Sequence, residues 1–306
     1  MHQIMRFMES CSYRFAQPAD LKMVRSELSD EAWLRLSGLL ECSSTRPDWI
    51  VLAFAGKRLA AMLALVTHCE FGLPLELFEF HGNLNGRIDS LELLQFAIEK
   101  ARSLGSRELF YTFSADSGGT DAISDAGFRL WRNTLRLQST KPTGIGMRGY
   151  RSCATSAFAR SEIIALLERT SELSADSQIQ FYRERLGGLK DAEMTLKVME
   201  YTKYDPDWWR VALTPGGQMI GIVLPVLVYG EPTIGFIGVR PEYRGRRIAQ
   251  FLLGEAWSVM SRSGWSTLYA EADQRNPSMY RALVSSGFTL QCQKQEWRLD
   301  LCRMGT

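Results

Sequence analysis

Two rhythms of apolar positions run through the second half of the chain. Residues 208–213, 219–228 and 233–239 are apolar runs of strand length. They are separated by Gly216-Gly217 and by Tyr229-Gly230-Glu231-Pro232, which is the chemistry of tight turns between antiparallel strands. The period then changes. Ile248, Phe251, Leu252, Ala256, Val259 and Met260 recur on one face at helical spacing, so residues 248–262 form a helix that Gly264 ends. A strand over 267–272, a short helix over 277–285, the pair Gly287-Phe288 and a closing strand complete this half. The first half follows the same plan, with strands near 49–54, 59–66 and 75–80, a helix over 91–104 and a strand over 108–113.

The halves also echo each other in sequence. Ala126-Gly127-Phe128-Arg129-Leu130 recurs as Ser286-Gly287-Phe288-Thr289-Leu290, and Gly105 and Leu109 recur as Gly264 and Leu268, all about 160 positions apart. Between them, residues 139–149 are rich in Gly, Pro and polar residues and read as a linker. The expectation is an α/β fold, a mixed α+β sheet, duplicated as two tandem domains over 1–140 and 150–306.

Composition narrows the function. A chain of 306 residues with a formal charge of +2 has no overall basic field, so a nucleic-acid partner is not expected and any anion site must be local. The six cysteines are scattered without a CxxC pair, and His2, His68 and His81 are too dispersed for a metal centre or a Ser/His/Asp triad. No apolar run reaches the ~18 residues of a membrane span, and the first residues lack a secretory core. A cytoplasmic protein, monomeric or homodimeric, is expected.

Local charge concentrates in Arg240-Pro241-Glu242-Tyr243-Arg244-Gly245-Arg246-Arg247, between a strand and a helix, where four of the eight residues are arginines, at 240, 244, 246 and 247. Such a turn exposes unpaired N–H groups at the positive end of a helix dipole, where phosphate binds readily. Val239-x-Pro241-x-Tyr243-Arg244-Gly245-x-x-Ile248-Ala249 resembles the acyl-CoA motif of the GNAT acetyltransferases. Asp273-Gln274-Arg275-Asn276-Pro277-Ser278-Met279 with Gly287-Phe288 resembles the family's second motif. The resemblance is good over 205–301 and extends to the first half only as a degenerate copy.

What the resemblance implies is transfer of an acetyl group from acetyl-CoA to a primary amine of a small molecule or peptide-like metabolite, by direct attack. Ile237, Gly238 and Val239 would pair with pantetheine, and Arg244, Gly245, Arg246, Arg247, Ile248, Ala249 and Asn276 would complete the coenzyme site. Val239 N–H is the expected oxyanion donor. Alternation along 268–273 puts Tyr269, Glu271 and Asp273 on one strand face, making Glu271 the candidate base and Glu231 a weaker one. Two positions depart from the family pattern. Arg247 stands where a Gly is usual, and Leu283 fills the slot of the general-acid tyrosine, leaving Tyr280, one turn earlier, as candidate acid. Residues 178–186 fall where the family caps its acceptor site. The competing reading is a non-catalytic module that binds coenzyme A or scaffolds a partner.

Overall fold

The computed structural model describes residues 11–41, 43–67, 75–81, 90–114, 120–141 and 145–302. His2, His68, Cys42, Cys69, part of the linker and the first-half turn after His81 lie outside the described residues. The chain divides into two compact units, Met1–Trp131 with Gln295–Thr306, and Arg132–Lys294.

Unit 1 carries β1 (Cys11–Phe15), α1 (Leu21–Glu27), α2 (Asp30–Glu41), β2 (Ile50–Ala55), β3 (Arg58–Val66), β4 (Leu75–His81), α3 (Ser90–Ser103), β5 (Glu108–Ser114) and α4 (Thr120–Asp125). Strands β1 to β4 pair antiparallel in sequence order, and β4 pairs parallel with β5. Both faces of this sheet are covered. Val51, Leu63 and Leu65 join one buried cluster, with α3, while Ile50, Leu52 and Met62 join another, with Val24 and Leu36. Burial on both faces is why β2 and β3 read as nearly continuous apolar runs.

Unit 2 carries β6 (Arg129–Ser139) from Arg132 onward, β7 (Arg151–Ala154), α5 (Arg160–Ser171), α6 (Ser177–Leu186), α7 (Gly188–Tyr201), β8 (Arg210–Leu213), β9 (Met219–Val228), β10 (Glu231–Val239), α8 (Ile248–Arg262), β11 (Leu268–Asp273), α9 (Pro277–Ser285) and the first half of β12 (Thr289–Asp300). Its strand order is β6-β11-β10-β9-β8-β7, antiparallel except for the parallel pair β10–β11. Glycines show which helix covers which face. A Cβ at Gly221 would meet Leu252 and Ile248 of α8, whereas one at Gly238 would meet Thr170 of α5. Since Gly221 pairs with Val239 and Gly238 with Ile222, α8 and α5 lie on opposite faces.

The units differ from the sequence boundaries 1–140 and 150–306 at the closing strands. β6, which follows the first Gly-Phe, lies beside β11 in unit 2, and the end of β12, which follows the second, lies beside β5 in unit 1. Periodicity marks a strand but not its partner, and here each repeat lends its last strand to the other's sheet.

Candidate functional site

The site grows from a failure of pairing. β10 and β11 share only the rungs Thr233–Tyr269 and Ile234–Ala270. Beyond them β11 stays paired with β6 as far as Asp273, and β10 stays paired with β9 as far as Val239, so the two strands splay apart. A register shift between Ile234 and Phe236 turns β10 away at this point. Gly235 is required there, because a Cβ would lie 2.5 Å from Met199 Sδ and 2.9 Å from Val226 Cγ2.

The ladder decides which backbone groups face the gap. Arg240 N–H donates to Ile220 O at 2.9 Å, and Gly238 opposes Ile222 in the same register. Antiparallel partners exchange hydrogen bonds at alternate residues, so Phe236, Gly238 and Arg240 point at β9 while Ile237 and Val239 point into the gap. Val239 O is taken by Arg244 Nε at 3.1 Å, which leaves Ile237 N–H, Ile237 O and Val239 N–H as an open edge. Gly238 contributes its lack of a side chain, since a Cβ would sit 2.7 Å from Thr170.

After Val239 the chain makes a turn, residues 241–243 forming one 3-10 turn, with Gly245 at φ 75° and Arg247 at φ 63°, ψ 16°. Arg247 caps α8 in the left-handed region without a side-chain hydrogen bond. That conformation is the physical reason a glycine suits the position, and a non-glycine residue holds it at about 1–2 kcal/mol. Among the described residues the N–H groups of residues 245–250 have no protein acceptor. This run of donors, with Gly245, Ile248 and Ala249 supplying backbone, lies at the positive end of α8, a kind of position that suits an anion.

The arginines of the turn have distinct tasks. Arg246 and Arg247 are exposed beside these donors, the former 5.3 Å from the Tyr243 ring. Arg240 reaches Met219 O at 3.1 Å and pairs with Glu242. Arg244 is committed elsewhere. Besides Val239 O its guanidinium donates to Leu173 O at 2.9 Å, Thr170 O at 3.0 Å and Glu172 O, strapping the end of β10 to the C-terminus of α5. Burial lowers its pKa from the ordinary value, but it remains a cation over the negative end of that helix.

Glu271 is the first residue of β11 beyond the last shared rung, so its carboxylate stands at the apex of the splay. It is exposed and accepts from Lys294 Nζ, with Arg136 of β6 at 3.6 Å. Arg136 also lies 4.5 Å from the Tyr269 ring centroid and reaches Glu231 at 2.6 Å and Gln291 at 2.8 Å. Glu231 is thus a partner of Arg136 at the closed end of the strands. Asp273, expected beside Glu271, is instead buried, its oxygens accepting from Ser177 N at 2.7 Å and Arg275 N at 2.7 Å. Through Ser177 it seats the start of α6 on the sheet.

On α9, Asn276 Oδ1 caps the helix by accepting from Met279 N at 3.1 Å. Leu283, in the slot of the expected tyrosine, is fully buried, and Tyr280 is half-buried against the unit 2 core. Sequence reasoning missed Gly235, Arg136 and Lys294. A glycine inside an apolar strand signals close backbone approach and could have exposed Gly235, whereas nothing local marks the partners of Glu271. Among the described residues no cluster of His, Cys, Asp or Glu could hold a metal ion, and no helix is long and apolar enough to cross a membrane.

No protein-family model and no curated protein matches the chain. Solved structures do. A GCN5-related N-acetyltransferase from Sphaerobacter thermophilus is similar at TM-score 0.64 and 17% identity, over 95% of this chain and 96% of that one. A tandem GNAT protein from the clavulanic acid biosynthesis pathway is similar at TM-score 0.61 and 14% identity, over 95% and 99%. A putative acetyltransferase from Pyrococcus horikoshii is similar at TM-score 0.56 and 13% identity, over 98% and 92%. With its splayed parallel strands, its turn onto α8 and its duplicated plan, the chain has the tandem GNAT fold.

Proposed function

We propose that unit 2 transfers an acetyl group from acetyl-CoA to a primary amine of a small molecule or peptide-like metabolite. The observation that carries this reading is the pair of unpaired backbone sets on either side of the bonded turn 240–244, one at Ile237 and Val239 and the other at residues 245–250. Pantetheine carries amides that complement the strand edge, and its pyrophosphate complements the donors at the start of α8. Arg246 and Arg247 add charge for the phosphates, while Arg244 and Asn276 act by holding the turn and α9 in place.

The thioester then lies at the apex, where Glu271 stands ready to accept the amine's proton. Ile237 lies two residues closer to the last rung than Val239, so its N–H is the better oxyanion donor, and Val239 N–H serves pantetheine. The neutral amine attacks the carbonyl directly, the C–S bond breaks and the thiolate takes a proton, for which Tyr280 is the candidate donor.

Coenzyme binding without transfer is a second reading, favoured by Leu283 in the tyrosine slot and by the ion pairs that occupy Glu271. A thiol-release screen over primary amines separates the two. Release that depends on the amine, and that falls about a hundredfold in Glu271→Gln at unchanged acetyl-CoA affinity, supports transfer. Coenzyme binding without release for any amine supports the second reading.

A further inference from the structure

Glu271 holds a primary ammonium already. Lys294 Nζ donates to Glu271 Oε1, both side chains are partly exposed, and Glu271 stands at the apex where β10 and β11 part. Arg136 sits on the same oxygen at 3.6 Å and is anchored by Glu231, Gln291 and the Tyr269 ring, so the carboxylate has a fixed position with or without Lys294. An arriving acceptor amine must make the contact with Glu271 that Lys294 makes now. The side chain therefore stands in for the acceptor, on a flexible four-carbon stem that can swing toward the gap.

We propose that Lys294 is a site of self-acetylation, modified by acetyl-CoA held in the same unit when no external amine displaces it. The inference rests on the acetyltransferase reading given above. Glu271 takes one proton from the Lys294 ammonium and passes it to solvent, and neutral Nζ attacks the thioester carbonyl. The N–C bond forms, the C–S bond breaks, and coenzyme A leaves as thiolate, taking up the second amine proton. The product amide is uncharged, so it ends the ion pair with Glu271 and frees that carboxylate for a later acceptor.

The test incubates the full chain with acetyl-CoA and no amine and follows peptides by mass spectrometry. Lys190 and Lys203, exposed and remote from β11 in sequence, report uncatalysed acetylation. Lys294 should gain one acetyl group about tenfold faster than either, at a rate per mole independent of protein concentration. Glu271→Gln should slow it about tenfold at unchanged acetyl-CoA affinity. Modification no faster than at Lys190 and Lys203, or equally fast in Glu271→Gln, overturns the proposal. A protein that acetylates an added amine and leaves Lys294 untouched overturns this inference alone. A protein that binds no acetyl-CoA at millimolar concentration overturns the acetyltransferase reading with it.

Discussion

Replacing Arg244 by Ala tests the strap that joins the turn after β10 to α5. The guanidinium donates to the carbonyls of Val239, Leu173, Thr170 and Glu172, four charge-assisted bonds from one side chain. Fully buried, such bonds would contribute about 1.5–3 kcal/mol each. Most of these are exposed, and water replaces an exposed donor at little cost, so about 0.5–1 kcal/mol per bond is the better figure. The expected loss for Arg244→Ala is therefore about 2–4 kcal/mol. Arg244→Lys keeps the charge over the α5 C-terminus but not the planar fork, and should lose about 1–2 kcal/mol. Urea unfolding followed by tryptophan fluorescence reads this as a lower midpoint at unchanged slope. Because the guanidinium is spent on carbonyls, the salt dependence of acetyl-CoA binding should persist in Arg244→Ala. An Ala variant within about 0.5 kcal/mol of the parent, or one that loses that salt dependence, would refute the strap and return Arg244 to direct phosphate contact.

Arg246→Ala and Arg247→Ala should each weaken acetyl-CoA binding several-fold and flatten its salt dependence in isothermal titration; unchanged affinity in both would remove the turn as phosphate site. Gly238→Ala places a methyl 2.7 Å from Thr170 and should cost about 1–3 kcal/mol, measured as a lower melting temperature; an undisturbed melt would show that α5 yields freely there. Asp191, buried on α7, has its carboxyl pushed up to about 6 by burial, against an opposing effect of Arg183. The folded state therefore holds this proton more tightly than the unfolded chain, and the resulting stability is lost as pH rises through 6. Asp191→Asn should match the parent at pH 4 and exceed it by about 1–2 kcal/mol at pH 8, allowing for residual solvent; a constant difference across that range would contradict the assignment.

Much of unit 2 was legible because its signals are local. The period of Ile248, Phe251, Leu252, Val259 and Met260 set α8 at Ile248–Arg262, and Pro277 after a capping Asn276 set the start of α9. The splay was legible only through resemblance, since it depends on which rungs β10 and β11 fail to share. Exchange of β6 and β12 was not legible, because two closing strands of similar pattern can satisfy either sheet edge. The role of Arg244 was hidden for a related reason. A basic turn announces charge, but whether a guanidinium faces phosphate or backbone carbonyls depends on α5, more than seventy residues earlier. Asp273 shared the strand face with Glu271 by alternation, yet the start of α6 closes over it and leaves Glu271 open.

We propose that the open edge of β10 and the start of α8 form one coenzyme site. Amide hydrogen exchange with and without saturating acetyl-CoA tests it most directly. Protection should appear at Ile237, at Val239 and across residues 245–250, while amides already bonded to β9, such as Arg240, change little. Exchange at Ile237, Val239 and residues 245–250 that acetyl-CoA leaves unaltered would overturn this site.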